Sequence, residues 1–461
     1  MRRQRASVLV GLLWCLALLS VVVIGVLHLA RLDLMVVKNQ GDAIQARYLA
    51  LAGIEKAKAL LYRDMTERKR NARNHSGELY NAPEQFRDVR LGRGEFSVFH
   101  QGTRDEGGRI VFGIIDEEAR LNINKASSQE LDRLYGMTPD IAAAIQDWRD
   151  GDNTARASGA EADYYASLKP PYLPRNGPFQ TIRELLMVRG VTRDLLGGED
   201  ANLNGILDPE EDDGKDTLPI DDGDGVLDAG WSGLLTIDSA ARNENASGQQ
   251  RIDVQSADEK TLATLRGITP ELAKSIVTYR GQNKFENIAD LLEVSALAPP
   301  RPGGPTLPPQ PPPGGAQGGP NQRGQQQQPI GPKLISEDML LEMGDDITVG
   351  SDEQQAGAVN INTASLDVLY CLQGMTRELS RAIIAYRQSA GFFPNVAYLL
   401  KVDGMTRDIF KQISPKVCVR SETFRIMSEG SVPSSGTRRR VEMVVRLGSG
   451  RIDTLSYRED L

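Results

Sequence analysis

Twelve acidic residues and a single lysine occupy the segment from Glu199 to Asp228, which makes it more negative than the whole 461-residue chain, whose net charge is −8. Asp200, Asn202, Asn204, Gly205, Ile206, Asp208 and Glu211 stand at the diagnostic places of a twelve-residue calcium loop. A hard divalent cation takes oxygen ligands. Asp200, Asn202 and Asn204 offer side-chain oxygens, Ile206 its carbonyl, Asp208 a direct or water-mediated contact, and Glu211 a bidentate carboxylate, while Gly205 permits the sharp turn. Asp222, Asp224, Val226 and Asp228 repeat the centre of that pattern. Ile220 and Trp231 stand where this second loop needs its first and last ligands, so an ion there requires other donors, such as Asp213, Asp216 or Asp221. The competing reading is a solvated acidic loop. No other metal or catalytic pattern is visible. His28, His75 and His100 lie apart from any nucleophile motif, and neither a phosphate-binding glycine loop nor a cysteine–histidine zinc spacing occurs. Enzyme activity is not expected.

The chain that carries this insert begins with Arg2, Arg3 and Arg5 directly before an apolar run from Val8 to Ala30. A helix of that length spans roughly 35 Å, enough to cross a bilayer. The basic flank stays cytoplasmic and sends the rest of the chain across the membrane. Apolar residues then recur with a period near 3.6 (Leu34, Val37, Ile44, Tyr48, Leu51, Ile54, Leu61), which predicts one long helix to about Tyr62. Two asparagine ligands and a location beyond the membrane point to weak calcium binding, on the order of 10⁻⁴ to 10⁻³ M.

Alternating patterns at Glu95–His100 and Arg109–Ile115 predict a β-hairpin, and Phe424–Ser428, Arg440–Leu447 and Ile452–Tyr457 predict three further strands. Residues 298–333 hold half of the chain's 24 prolines, with Gly and Gln, and read as a disordered linker. Cys15 lies in the apolar helix. Cys371 and Cys418 are either a disulfide or two buried thiols.

Between the two strand groups a motif repeats three times. Gly136, Gly267 and Gly374 are each followed two residues later by threonine, and thirteen residues later by Arg149, Arg280 or Arg387, with apolar columns between. Glycine ends one helix and threonine caps the next, the grammar of a helical hairpin. Ser127 with Glu130, and Ser256 with Glu259, predict capping boxes. A half-repeat follows each copy, beginning at Phe179, Phe285 and Phe393. These segments resemble helix-hairpin-helix modules, some of which hold DNA phosphates through hairpin amides. Here acidic residues (Asp140, Glu271, Glu378) follow the hairpin, which weakens anion binding.

The basic leader, apolar helix and amphipathic continuation resemble a type IV pilin N-terminus. That resemblance implies peptidase cleavage between Ala6 and Ser7, with methylation of the new amine. It also implies a glutamate at the fifth mature position, where this chain has Gly11. A subunit with no neighbour nearer the tip has no amine to neutralise, and an unpaired carboxylate in a membrane is costly. Together with Asp116–Asn124 and Ala46–Glu55, the arrangement resembles the largest minor pseudopilins of type II secretion systems. The fold so implied is α+β: a long N-terminal membrane-spanning helix with a pilin-like antiparallel sheet, interrupted by an inserted all-α domain of helix-hairpin-helix-like repeats. The expected organisation is a leader (1–6), helix (7–62), first strands (63–120), helical repeats with the calcium insert at 199–231 (121–297), linker (298–333), a third repeat (334–420) and C-terminal strands (421–461). The resemblance further implies a tip complex with other minor pseudopilins, a prepilin peptidase, an inner-membrane secretion platform, and a single-pass inner-membrane protein with its bulk in the periplasm. One or two calcium ions complete the expectation. The competing function is a membrane-anchored DNA-uptake protein using the hairpins.

Overall fold

The computed structural model describes residues 3–71, 78–216, 221–297, 330–448 and 450–459. Helix α1 runs from Arg3 to Asn71, past the predicted end at Tyr62, because Arg63–Asn71 adds no helix breaker and puts three basic residues in the last turn, where the helix dipole favours them. Its first half is bare: Leu9, Val21 and Val37 are all more than half exposed. Its length and composition suffice to cross a membrane. The outer half buries Ala50, Ile54, Ala57 and Leu61 against a sheet.

That sheet comprises β1 (Val89–Leu91), β2 (Gly94–Val98), β3 (Ile115–Asp116), β4 (Thr423–Val432), β5 (Thr437–Leu447) and β6 (Ile452–Arg458). The order is β1-β2-β4-β5-β6, with β3 also on β4, and every pairing is antiparallel. The predicted hairpin is reduced to His100–Gln101 with Ile110–Val111. The main partners of β2 are β1, whose three residues were too short to signal a strand, and β4, more than 300 positions away in sequence. Asp116 on β3 pairs with Phe424 on β4, so the inserted domain leaves and rejoins the sheet at one place.

Helix and sheet approach closely at two glycines. A side chain on Gly430 would run into the backbone of Ala46 and Ala50, and one on Gly53 into Ser428 and Phe96. Backbone cannot yield as a flexible side chain does. Gly430→Ala should therefore prise β4 from α1 and cost roughly 1–3 kcal/mol. A lower urea midpoint for the detergent-extracted chain would show it, and an unchanged midpoint would contradict this packing.

The inserted domain is three similar units. In each a short strand precedes the hairpin and pairs in parallel with a strand that closes the unit: Leu121–Asn122 with Leu235–Thr236, Ile252–Asp253 with Ile347–Thr348, and Val359–Asn360 with Val417–Cys418. The long second helices are α2 (Pro139–Arg149), α3 (Pro270–Arg280) and α4 (Arg377–Ala390). Residues 334–348 thus complete the second unit and do not open the third. The Pro/Gly/Gln segment, whose residues 298–329 lie outside those described, interrupts the second unit's last hairpin. Ser295–Leu297 and Ile330–Lys333 pair antiparallel on either side of the interruption. The middle copy accordingly has no counterpart of Gly190 and Gly404, the positive-φ glycines of the last hairpins in the first and third units. Cys371 and Cys418 are buried free thiols in separate packing clusters.

Candidate functional site

The acidic insert follows the last helix of the first unit (Arg193–Gly197) and precedes that unit's closing strand. The first loop is folded around its own backbone. Asp200 accepts the N–H of Gly205 at 2.8 Å and of Asn204 at 3.0 Å, and Gly205 has φ of +73°. Asn202 accepts from Asn204 at 2.8 Å and Asn204 from Ile206 at 2.7 Å. Glu211 takes the N–H groups of Ala201 at 2.8 Å and Asp208 at 3.1 Å, one on each carboxylate oxygen. Both asparagine amides donate to Asp208, at 2.9 and 2.8 Å. Asp200 and Glu211 are buried, and no lysine or arginine among the described residues pairs with either. Desolvation raises both above the ordinary carboxylate range. Asp200 and Glu211 are thus two buried carboxylates on one turn, held by backbone N–H groups, with two side-chain amides beside them.

The second loop takes two of the carboxylates that hold its backbone from outside its sequence window. Asp222 accepts from Asp224 at 3.2 Å, and Asp224 from Val226 at 2.8 Å. Gly225 donates to Asp212 at 3.0 Å, the counterpart of Gly205 donating to Asp200. Glu199 accepts from Asp228 at 3.0 Å and Asp222 at 3.4 Å, much as Glu211 does in the first loop. Asp212 therefore stands in for Ile220, which lies outside the described residues, and Glu199 for Trp231, whose ring is instead buried in the first unit's core. Among the carboxylates suggested from sequence, Asp221 accepts from Gly214 and Gly223, each at 2.8 Å, and holds the loop. The two loops are interlocked, because Glu199 adjoins Asp200 and Asp212 adjoins Glu211.

The insert also joins the helical domain to the sheet. Ile206, the residue whose carbonyl belongs to the first loop, is buried with Phe99 and with Met427 of β4. Arg104 reaches Asp224 at 3.2 Å, and Arg458 of β6 donates to the Leu203 carbonyl at 3.4 Å.

The hairpins repeat their contacts as well as their residues. Gly136, Gly267 and Gly374 have φ of +69°, +75° and +80°. Thr138, Thr269 and Thr376 cap the helices that follow. The repeated arginines turn inward: Arg149 donates to the Ile123 and Ala126 carbonyls, Arg280 to Val254 at 2.8 Å, and Arg387 to Ile361 at 3.0 Å and Ala364 at 2.9 Å. Asn124, Gln255 and Asn362 each receive the N–H of the half-repeat phenylalanine, at 2.7, 2.9 and 2.8 Å. The second hairpin's first-helix cap is Asp258, two residues beyond the predicted Ser256, which donates to Asp253. Leu195, Met339 and Ile409 border the space beside the three hairpin glycines, so each glycine faces the second half of its own unit. Glu271 and Glu378 accept their own backbone N–H and a threonine hydroxyl, and both are held below the ordinary carboxylate range. The amides that could cradle a phosphate thus already serve a carboxylate.

A third cluster lies where the domain meets the sheet. Asp116 accepts from Ser421 at 2.6 Å and Asn360 at 3.1 Å. Glu117 pairs with Arg425 at 2.6 Å and accepts the Thr236 hydroxyl. Glu118 accepts the N–H groups of Ala240 at 3.2 Å and Thr423 at 3.0 Å. Three consecutive buried acids therefore bind the third unit, the first unit and β4 to one another.

A family model described as type II secretion system protein K matches residues 117–197, and a helix-hairpin-helix motif model matches 247–300 and 354–418. Type II secretion system protein K of Pectobacterium carotovorum is 28% identical over 204 residues, covering 42% of this chain and 60% of that protein. Its namesake in Pseudomonas aeruginosa is 28% identical over 309 residues, covering 63% of this chain and 76% of the relative. The crystal structure of the GspK-GspI-GspJ complex of the enterotoxigenic Escherichia coli type 2 secretion system aligns with a TM-score of 0.41 at 13% identity, over 92% of this chain and 99% of that one.

Proposed function

We propose that this chain, which is similar to type II secretion system protein K and carries in α1 a helix long and apolar enough to cross a membrane, acts as a non-enzymatic minor pseudopilin at the tip of a secretion pseudopilus. In that role it promotes filament assembly and protein secretion across the outer membrane. The observation that carries this reading is the division of α1 into a bare apolar half and a half packed on the sheet. One rod can then sit in the inner membrane and later pack against the rods of other minor pseudopilins, while the three-unit head stays in the periplasm. Gly11 in place of an acidic residue supports the tip position, since the subunit has no upper neighbour to pair with.

Calcium is assigned to the insert, where Asp200, Asn202, Asn204, Asp208, Glu211 and the Ile206 carbonyl would hold one ion. Asp222, Asp224, Asp228 and the Val226 carbonyl would hold a second, completed by Glu199 and Asp212. The ions neutralise crowded carboxylates and stiffen the contact that Ile206 makes with the sheet. The DNA-uptake reading is disfavoured by the inward arginines and the occupied hairpin amides.

Processing provides the test. Prepilin peptidase should cut between Ala6 and Ser7, leaving a mature chain that begins at Ser7 with a methylated amine before engagement of the inner-membrane platform. N-terminal mass spectrometry of membrane-extracted protein should show that species, and an intact Met1 or Arg2 terminus would identify a plain signal anchor instead.

A further inference from the structure

Apart from the acidic insert, the first unit contains a second acidic group that no contact described above explains. Asp147 lies on α2, Asp150 follows its last residue, and Glu161 precedes the short helix Ala162–Ala166. One carboxylate oxygen from each lies within 4.8 Å of the other two. It is the one such group of three found among the described residues. Asp147 is fully buried, Glu161 is 5% exposed and Asp150 is half-buried. Arg156 donates to Asp147 at 2.6 Å and also to Asp150, one positive charge against three negative. Both oxygens of Glu161 are removed from solvent, and neither has a hydrogen-bond partner. A buried carboxylate in that condition calls for a proton or a cation.

The backbone is shaped to bring the loop over these groups. A side chain on Gly159 would collide with the Asp147 carboxylate, so glycine lets the 150–160 loop close onto α2. Arg189 fastens that loop by donating to the Gly159 carbonyl at 3.0 Å. We propose that Asp147, Asp150 and Glu161 form a site for one hard divalent cation, of the calcium or manganese class, on the first helical unit and separate from the insert. The donors are all oxygen and partly shielded from water, which suits such ions over soft ones.

The site stands or falls independently of the calcium loops. Full-length protein in detergent would be equilibrium-dialysed against calcium, with E211Q disabling the first loop in every sample. E211Q should retain one ion that E161Q/E211Q has lost, and the ion in D150N/E211Q should bind at least tenfold more weakly. D150N is the safeguard, since Asp150 is half-buried and its substitution leaves the buried carboxylates in place. Equal stoichiometry in E211Q and E161Q/E211Q, both with native circular dichroism, would overturn the proposal and leave Glu161 as a buried protonated acid. Unchanged affinity in D150N/E211Q would overturn it equally.

Discussion

Arg425→Met should be the most damaging single substitution in the molecule, releasing the helical domain from the sheet. Arg425 lies on β4 between two buried carboxylates, 2.6 Å from Glu117 and 3.0 Å from Glu442. Removing one partner of a buried pair leaves an uncompensated charge and costs ~3–5 kcal/mol. Arg120 at 3.7 Å from Glu117 and Arg458 at 3.8 Å from Glu442 remain as weaker partners, which places the cost toward the lower end of that range. Arg425→Lys keeps the charge but cannot fork between both acids, and should fall between methionine and wild type. Limited proteolysis should cut the methionine variant on either side of the domain, near Asp116 and Ser421, while leaving the three units intact. A wild-type digestion pattern would contradict the junction. The cluster also has a pH signature. Opposite charges, Arg425 foremost, hold Glu117 down to about 2 despite its burial. Its contribution is therefore present above the ordinary carboxylate range and is lost as pH falls through about 2.

The second large effect is calcium dependence. Binding to the folded chain alone stabilises it by RT ln(1 + [Ca²⁺]/Kd), about 1.4 kcal/mol for one ion at tenfold excess over Kd. Glu211→Ala removes the bidentate ligand of the first loop and should abolish that ion's share. Glu199→Ala and Asp212→Ala should do the same for the second loop, although both residues lie outside its twelve-residue window. Burial raises Glu199, Asp200 and Glu211 above their unfolded values. In chelator the folded chain therefore binds more protons than the unfolded chain at these groups, and their contribution to stability falls as pH rises. Calcium keeps them ionised and should remove that slope, and comparing wild type with E211Q isolates the first loop. Melting temperatures that coincide in calcium and chelator, with Glu211→Ala matching wild type, would make the insert a solvated acidic loop.

What could be read from the sequence was local. The apolar run, the hairpin glycine–threonine columns and the turn around Gly205 each lie within a short continuous stretch of chain, where side-chain type and backbone geometry are directly linked. The strands closing the helical units were hidden, since two residues such as Leu235–Thr236 carry no periodicity and their pairing spans over a hundred positions. The second loop's outside carboxylates were hidden for a related reason: Glu199 and Asp212, which accept its backbone N–H groups, flank the first loop in sequence. The columns holding Asn124, Gln255 and Asn362, twelve residues before each hairpin glycine, were available in the repeat, but aligning them required extending it upstream. Nothing in their sequence marks Asp116, Glu117 and Glu118 as buried. Their burial follows from three elements that only meet in the folded chain.

Membership in a secretion tip complex is tested most directly by physical association. Full-length chain would be extracted from its own bacterium in mild detergent, with calcium present, and captured through a C-terminal tag after brief crosslinking in the intact membrane. The expected result is recovery of the other minor pseudopilins of the same system, joined through residues of the Leu9–Val37 half of α1. Recovery of the chain without any pseudopilin, under conditions where those proteins are expressed and extracted, would contradict the tip-subunit function.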